Sequence, residues 1–439
     1  MSRILKRVDE VVGWRLCSGC GACVPMCPNK AISLIDVFDQ GIRPKVDLAK
    51  CKKCGECLKV CPGIELSHSR FDEATIPQLR QSWGPVLEVW EGYATDHDIR
   101  FKGSSGGAAT ALALYCLEKE KMKGVLHIGG DSKQPLSNIA VFSRSREDLL
   151  RCTGSRYSPA SPCEKLDWIS QADGECVFIG KPCDVAALHK FQKPHPKFNT
   201  KIGLTISIFC AGTPSTEGTY KLLDKLSVKS NEVKEIRYRG CGWPGMTSVT
   251  LNGDTQEKHQ MTYEKSWGNI LCPHVQFRCR LCPDSTGEFA DISCGDPWYQ
   301  KSTVDEQGQS LVLVRTKQGC RILHDAAMAG YIRLREVDHR VLPLSQKSLQ
   351  DKRSHLFGRL LAMRLFLIPA PSYNGFSTFR NWCSLSIIDK VISILGTIKR
   401  IIVKKWWRPL AIFPCASKCL EEDKKVFRNN NKRDEECRV

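Results

Sequence analysis

Two short stretches near the N-terminus, "CSGCGACVPMCP" and "CKKCGECLKVCP", share the cysteine spacing C-x2-C-x2-C-x3-C-P. This spacing is typical of proteins that bind two 4Fe–4S clusters, in which the fourth cysteine of each run ligates the cluster of the other run. Two zinc knuckles are the alternative, but the duplicated run with its trailing proline favours iron–sulfur chemistry. The predicted ligands are Cys17, Cys20, Cys23 and Cys61 for one cluster, and Cys51, Cys54, Cys57 and Cys27 for the other.

A third group of cysteines lies in the second half of the chain. "CPHVQFRCRLCPD" contains three cysteines within eleven residues, and "ADISCGDPW" adds a fourth. This number meets the minimum for a third 4Fe–4S cluster, with buried free thiols or a zinc site as the alternatives. The predicted ligands are Cys272, Cys279, Cys282 and Cys294, and Cys183 or Cys241 could replace Cys294.

Three further motifs could bind a cofactor that carries phosphates or a flat ring, although each could equally be a plain connecting loop. "KGSSGGAATAL" is a Gly/Ser turn that runs into a helix, and a helix N-terminus favours phosphate. "TGSRYSPAS" offers an arginine that can pair with phosphate and a tyrosine that can stack on a ring. "FIGKPCDVAAL" indicates a strand, a turn with a lysine, and a helix. The candidate residues are Ser104, Ser105, Gly106, Gly107, Thr110, Ser155, Arg156, Tyr157, Lys181 and Pro182.

The elements that must position these residues alternate along the middle of the chain. Short apolar runs that end in glycine are followed or preceded by helical patterns, which indicates buried strands and helices. Several of the motifs follow such strands, so they would meet at one sheet edge, where ligands bind in α/β folds. We therefore predict an α/β (α+β) catalytic domain with a mixed sheet, preceded by a small bacterial-ferredoxin-like α+β domain.

Composition and segment boundaries fit this picture. Of the 439 residues, 42% are hydrophobic and 26% are charged, as in ordinary soluble globular proteins. The 24 cysteines in a chain without a secretory signal indicate metal binding in a reducing compartment, and hence a cytoplasmic protein. The predicted segments are a cluster-binding domain at residues 1–66, a linker at 67–85, a catalytic domain at 86–350, a basic amphipathic helical region at 351–410 and a disordered tail at 411–439.

The C-terminal stretch "LSIIDKVISILGTIKRIIVKKWW" has the period of an amphipathic helix. One face collects Ile388, Val391, Ile392, Leu395, Ile398 and Ile402, and other faces carry Lys390, Lys399, Lys404 and Lys405. The internal charges argue against a transmembrane span. The helix could lie in a membrane interface, peripheral at the inner membrane face, or it could pack on the protein's own core or on a second subunit.

The net charge of +18 is unevenly distributed, because residues 351–439 contain 18 Lys+Arg against 8 Asp+Glu. A solvated basic tail is one interpretation, and an anionic membrane surface or an acidic redox partner is another. Basic stretches with interleaved aromatic residues are absent from the sequence outside the C-terminal helix, so we expect no nucleic-acid partner.

Six motifs occur in the order seen in the beta-subunit family of coenzyme F-420 hydrogenases and dehydrogenases, which the chain resembles over about residues 86–300. They are "KGSSGGAATAL", "TGSRYSPAS", "GKPCDVAAL", "FCAGTPS", "RGCGWPG" and "RCRLCPD…ADISCGDPW". The N-terminal cysteine runs resemble the ferredoxin domain that many members carry. Arg156 matches the basic residue usual in the "GSRY" motif, whereas Cys241 is not expected at its place. The tail resembles bacterial members often associated with polysaccharide biosynthesis.

The resemblance implies an iron–sulfur flavoprotein oxidoreductase that binds FAD. Such a protein passes electrons between clusters and a small hydride-accepting or hydride-donating substrate, which in some members is coenzyme F-420. The implied partner is ferredoxin or another oxidoreductase subunit, and a homo-oligomer is compatible with the pattern. The alternative is a non-catalytic electron-transfer subunit that docks to a partner enzyme, in polysaccharide biosynthesis for example.

Overall fold

A computed structural model describes residues 5–68, 72–253, 258–300 and 307–410. The tail at 411–439, for which the sequence predicts disorder, lies outside the described residues. The strands are β1 (Ile32–Val37), β2 (Gly41–Val46), β3 (Glu65–Ser67), β4 (Glu88–Ala94), β5 (Val125–Gly130), β6 (Asn138–Ser143), β7 (Cys176–Gly180), β8 (Ile202–Ile208), β9 (Val233–Arg237), β10 (Met246–Leu251), β11 (Lys258–Thr262), β12 (Ile292–Gly295), β13 (Ser310–Val314), β14 (Ile332–Glu336) and β15 (Ser372–Asn374).

Helices surround these strands, and the chain also forms a π-helical segment at Glu264–Leu271. The α-helices are α1 (Val8–Gly13), α2 (Glu56–Lys59), α3 (Pro77–Trp83), α4 (His97–Lys102), α5 (Ala108–Glu118), α6 (Arg146–Arg151), α7 (Leu166–Gln171), α8 (Pro182–Gln192), α9 (Pro196–Asn199), α10 (Thr216–Lys225), α11 (Phe277–Arg280), α12 (Lys317–Met328), α13 (Val341–Ser345), α14 (Lys347–Ser354), α15 (Leu356–Leu365), α16 (Thr378–Cys383) and α17 (Ile387–Val403).

An eight-stranded mixed sheet organises the middle of the chain in the order β14-β4-β13-β12-β8-β7-β5-β6. The four central strands β12, β8, β7 and β5 run parallel, and antiparallel strands flank them on both sides. Every residue of β13 is buried, as expected of a strand covered on both faces. The predicted mixed α/β architecture is therefore confirmed, and the turns after β7 and β8 meet at one edge.

The N-terminal domain packs against the C-terminal helical region. Its hairpin β1–β2 is antiparallel, and β3 pairs in parallel with β15, about 300 residues later in the chain. Trp14 and Leu16 share an apolar cluster with Leu360 of α15 and with Ile401 and Trp406 at the end of α17. The two ends of the described chain thus share one apolar core and one small sheet.

The stretch 67–85, which we expected to be a linker, contains a packed helix. Leu79 and Trp83 of α3 are buried in an apolar cluster with Val89 of β4 and Leu311 of β13. The linker itself stays a prediction, although this part of it is a packed helix. The prediction rested on the polar residues around the helix, whereas two large apolar residues four positions apart suffice to anchor a short helix.

Candidate functional site

Two cavities in the N-terminal domain are lined by the same groups of cysteines that the spacing predicts. One cavity contains Cys17, Cys20, Cys23 and Cys61 in its lining. The other contains Cys51, Cys54, Cys57 and Cys27. In each cavity three thiols come from one run and the fourth from the other run, which is the donor set that a 4Fe–4S cluster requires.

The two cavities are neighbours, and their thiols are held in place by the backbone. Cys23 from one set packs with Cys27 and Cys57 from the other. The backbone N–H of Gly19 donates to Cys17 Sγ at 3.4 Å, and that of Ala31 donates to Cys27 Sγ at 3.3 Å. N–H donors aimed at sulfur stabilise thiolates and tune cluster potentials.

Burial opposes ionisation of these cysteines in the absence of metal. Desolvation raises the pKa of Cys20 to about 12 and that of Cys61 to about 11. Binding of iron must displace these protons, because only the thiolate ligates metal. The cavities therefore suit a positively charged metal centre and disfavour free thiolates.

A third cysteine set forms at the sheet edge, with members that differ from our prediction. Cys183 lies in the first turn of α8, just after β7, and Cys210 lies two residues after β8. Burial raises the pKa of Cys210 to about 12, and the neighbouring Cys279 and Cys282 contribute to this rise. Cys210 and Cys282 in turn raise the pKa of Cys183, after burial and Asp184. Cys183, Cys210, Cys279 and Cys282 are thus electrostatic neighbours, and the backbone N–H of Thr213, three residues after Cys210, donates to Cys279 Sγ at 3.3 Å.

The two other predicted ligands of the third set, Cys272 and Cys294, have different surroundings, and their role as ligands stays a prediction. Cys272 is exposed at the end of the π-helical segment. Cys294 is buried within β12, and burial alone raises its pKa to about 12. Closeness in the chain suggested both residues, whereas the fold brings Cys210 and Cys183, which the sequence already offered as an alternative ligand, towards Cys279 and Cys282. The signal for Cys210, which was missed, is that "FCAG" places a cysteine directly after a strand.

Arg278 lies between the third cysteine set and the N-terminal domain. Its guanidinium donates to the carbonyl of Pro62, which follows Cys61, at 2.9 Å, and to the carbonyl of Leu281 at 3.0 Å. Its Nε is buried without a hydrogen-bond partner. It opposes the rise in the pKa of Cys61 and is an electrostatic neighbour of Cys282. A fixed positive charge therefore separates two thiol-lined sites.

Other motifs converge on a second site, which is rich in aromatic side chains. The backbone N–H of Ser155 donates to Ser104 Oγ at 2.6 Å, so the turn before α5 meets the "TGSRY" motif. Ser105 Oγ donates to the carbonyl of Gly295 at 2.8 Å, and the N–H of Gly242 donates to the carbonyl of Phe101 at 3.1 Å. Four motifs that are far apart in the sequence thus form one site.

The centre of this aromatic site is a buried ion pair that the sequence analysis missed. The guanidinium of Arg239 binds Asp296 through both of its terminal nitrogens, and Trp243 Nε1 donates to Asp296 Oδ1 at 2.7 Å. Arg239 also lies 4.8 Å from the ring centre of Tyr263 and 4.9 Å from that of Trp298. A bidentate Arg–carboxylate pair between aromatic rings holds one side of the site in a fixed geometry.

Tyr157 belongs to this aromatic site. Its ring lies 4.8 Å from that of Trp267, while Tyr263 stacks on Trp298 at 5.3 Å. Trp298 is 37% exposed, so part of its ring is open to solvent. Partly open flat rings beside the start of α5 suit a planar ring that carries phosphates. Thr110 is half-buried in the first turn of that helix.

The remaining predicted cofactor residues have different surroundings from those we expected. Each guanidinium nitrogen of Arg156 donates to a protein acceptor: Asn138, Ile236 or Pro135. Lys181 precedes Pro182 at the start of α8, and its Nζ donates to Asp184 at 2.6 Å, beside the third cysteine set. Binding of a cofactor by Arg156 and Lys181 stays a prediction, and neighbouring protein groups accept hydrogen bonds from both side chains.

The glycines of the turn before α5 are required by close packing. A Cβ on Gly106 would lie 2.8 Å from the Cα of Gln309, and one on Gly107 would lie 2.7 Å from the carbonyl oxygen of Ile99. Both residues also have positive φ values, of +65° and +73°, which other residues rarely adopt. The "SSGG" motif therefore fixes the start of α5 against the loop before β13.

Three regions of the chain match known protein families. Residues 89–166 and 173–340 match the N-terminal and C-terminal models of the coenzyme F-420 hydrogenase/dehydrogenase beta subunit, and residues 16–63 match a 4Fe–4S dicluster domain. The F-420 hydrogenase beta subunit of Methanococcus voltae is 25% identical over 63% of this chain and 95% of its own length.

Two further similarities extend this picture. The coenzyme F-420-dependent sulfite reductase of Methanocaldococcus jannaschii is 25% identical over 76% of this chain, which spans about half (49%) of that enzyme. A chain of the F-420-reducing nickel–iron hydrogenase complex of Methanosarcina barkeri has the same fold, with a TM-score of 0.50, 22% identity, and coverage of 64% of this chain and 94% of that one.

Proposed function

Because the chain belongs to the coenzyme F-420 hydrogenase/dehydrogenase beta-subunit family, we propose that it is an iron–sulfur flavoprotein oxidoreductase. The observation that supports this proposal best is the position of the third cysteine set. It lies at the sheet edge, beside Arg278, which contacts the dicluster domain through Pro62. With this set, the chain would provide thiols for three 4Fe–4S clusters, and the third set would lie on the catalytic-domain side of that contact.

We assign FAD to the aromatic site. A flavin supplies the conversion between one-electron transfer and the two-electron transfer of a hydride. Tyr157 and Trp267 would line the ring, and the start of α5 would face the phosphates. The pair of Arg239 and Asp296 would hold the surrounding rings, with Arg239 buried and the Asp296 side chain 14% exposed.

The substrate we propose is a small hydride acceptor or donor that reaches the open side of the aromatic site near Trp298. Coenzyme F-420 is the first candidate, because it is named in several relatives. The electron partner would be ferredoxin or another oxidoreductase subunit that approaches the N-terminal domain. The direction of electron flow follows from which of these partners is reduced. We place this chemistry in the cytoplasm, where cysteines stay reduced.

The proposal is tested by purifying the full chain without oxygen and counting iron and flavin. We expect about twelve irons per chain, which corresponds to three 4Fe–4S clusters, together with one FAD. Trp298→Ala should lower the flavin content and leave the iron content unchanged. The control is Trp168→Ala, which removes a half-buried tryptophan that packs against a different apolar cluster. This variant should keep both its flavin and its iron content. A chain that binds no flavin after reconstitution contradicts the catalytic assignment.

A second candidate is a non-catalytic electron-transfer subunit, for instance of an enzyme in polysaccharide biosynthesis. It is favoured by the relatives, several of which are named as subunits. The two candidates differ in what the single chain does with reduced viologen and coenzyme F-420. Turnover by the purified chain supports the oxidoreductase, whereas turnover only after a partner chain is added supports the electron-transfer subunit.

A further inference from the structure

Helix α17 exposes its apolar side to solvent. Ile387 is 79% exposed, Ile388 71% and Leu395 57%, and further exposed apolar residues on this helix are Val391, Ile392, Ile402 and Val403. At 100° per residue most of these positions fall on one side of the helix. Contiguous exposed apolar surface of this kind marks an interaction site in a folded protein.

The opposite side of α17 holds the helix firmly against the protein. Ser393 and Thr397 are buried there, together with Ile401. Ser393 Oγ accepts a hydrogen bond from Trp382 Nε1 at 3.0 Å. Gly358 of α15 lets the two helices approach closely, because a Cβ at that position would lie 1.9 Å from Ser393 Oγ. Packing through small polar residues thus orients the helix so that its apolar side faces solvent.

The positive charge around this apolar surface favours an anionic lipid surface over a second copy of the chain as its binding partner. Residues 385–410 contain six basic residues and only one acidic residue, Asp389. Lys399, Lys404, Lys405 and Arg408 are all exposed. A second copy of the chain would bring the same positive charge face to face, whereas anionic lipid headgroups would neutralise it. Trp407, which is partly exposed at the end of the helix, is a residue type that favours the membrane interface.

We propose that the apolar side of α17 docks onto an anionic lipid surface, with the helix lying in the interface plane. In the described part of the chain no helix is long and apolar enough to cross a membrane, so the contact is peripheral. Because Ile401 and Trp406 pack with Trp14 and Leu16, the docked helix holds the dicluster domain close to the membrane. An electron partner within the membrane would then be near that domain.

The test is co-sedimentation of the full chain with vesicles of phosphatidylcholine alone or with 30% phosphatidylglycerol, in low and high salt. We expect binding to the anionic vesicles that weakens as salt rises. Replacing two apolar residues, Ile388→Glu with Leu395→Glu, should weaken binding at least about 100-fold. Replacing two charges, Lys404→Gln with Lys405→Gln, should weaken it about 30-fold.

The matched control is Met328→Glu with Leu344→Glu, which places the same charges at residues that are 80% and 70% exposed outside α17. This control should bind as the unchanged chain does. Equal binding to both kinds of vesicle, or unchanged binding of the α17 variants, overturns the proposal. So does a vesicle-free dimer, measured by light scattering, that the apolar variant dissociates, because the occupant is then a second copy.

Discussion

At the scale of single residues, the third cysteine set gives the sharpest prediction. Cys183→Ser and Cys210→Ser should each remove about four irons per chain, because each substitution removes a thiolate at the sheet edge. Exposed Cys272→Ser and buried Cys294→Ala should leave the iron content unchanged. Iron analysis and electron paramagnetic resonance of the reduced chains measure both. Loss of iron in the Cys272 or Cys294 variant would restore the ligand set suggested by the sequence.

The same residues show what the sequence alone could predict about the site. The N-terminal sets follow from spacing, because all the ligands lie in two short loops that a known rule relates. The third set joins Cys183 and Cys210 to Cys279 and Cys282, and only the pairing of β7 with β8 brings the first two together. Arg239 and Asp296 were missed for the same reason, since 56 residues separate them.

His127 makes the stability of the chain depend on pH. Burial lowers the pKa of its imidazole from 6.5 to about 4, so the folded chain keeps it neutral while the unfolded chain takes up a proton between these values. Stability should therefore fall as the pH falls from 6.5 towards 4, by about 1 kcal/mol at pH 5.5. Urea unfolding at pH 7.5 and 5.5 measures this loss, which should be smaller in His127→Gln. An equal loss in both chains would assign the effect to other groups.

At the scale of elements, two helix glycines form a matched pair. Alanine favours a helix over glycine by about 1 kcal/mol. Gly396→Ala should therefore raise the unfolding temperature, because its Cβ would meet only Arg400 at 3.8 Å. Gly358→Ala should lower it, at a cost of about 1–3 kcal/mol, because its Cβ would overlap Ser393. A calorimetric scan compares the two variants, and stabilisation by Gly358→Ala would contradict the close approach of α15 and α17.

The helix α17 also shows where a correct pattern leads to an incomplete picture. Its period predicted the helix and its apolar side, and both are present in the structure. Periodicity does not show which side meets the protein, because that depends on the partner surface. Here Gly358 and Trp382 accommodate Ser393. The side of α17 with small polar residues is therefore buried, although burial of the apolar side would remove more apolar surface from water.

At the scale of the whole molecule, the sequence predicted the order of the segments but not their contacts. The dicluster domain, the region of the eight-stranded sheet and the C-terminal helices each have local sequence patterns. No local sequence pattern indicates the pairing of β3 with β15 or the apolar cluster that the two chain ends share. Each of these contacts involves residues about 300 or more positions apart. These contacts nevertheless decide which surface of the dicluster domain stays open to a redox partner.

Arg278 is a buried charge near both the dicluster domain and the third cysteine set. Its hydrogen bond to Pro62 crosses the boundary between the domains, whereas its bond to Leu281 is local, and its charge is an electrostatic neighbour of Cys61 and Cys282. Arg278→Gln should therefore shift the reduction potential of the adjacent centres to more negative values, by tens of millivolts on an order-of-magnitude estimate.

The control for Arg278 is Arg315→Gln. This arginine is equally buried, but its donors bind Ser293, Trp83, Pro85 and Thr286. Both variants lose a buried positive charge, so both should be less stable, which unfolding temperatures measure. Arg278→Gln should change the midpoint potentials more than Arg315→Gln does in a redox titration followed by electron paramagnetic resonance, because Arg315 faces Asp284 and Glu288. If both variants shift the potentials equally, the shift results from a general destabilisation of the fold. The charge of Arg278 at the domain boundary then has no specific effect on the reduction potentials.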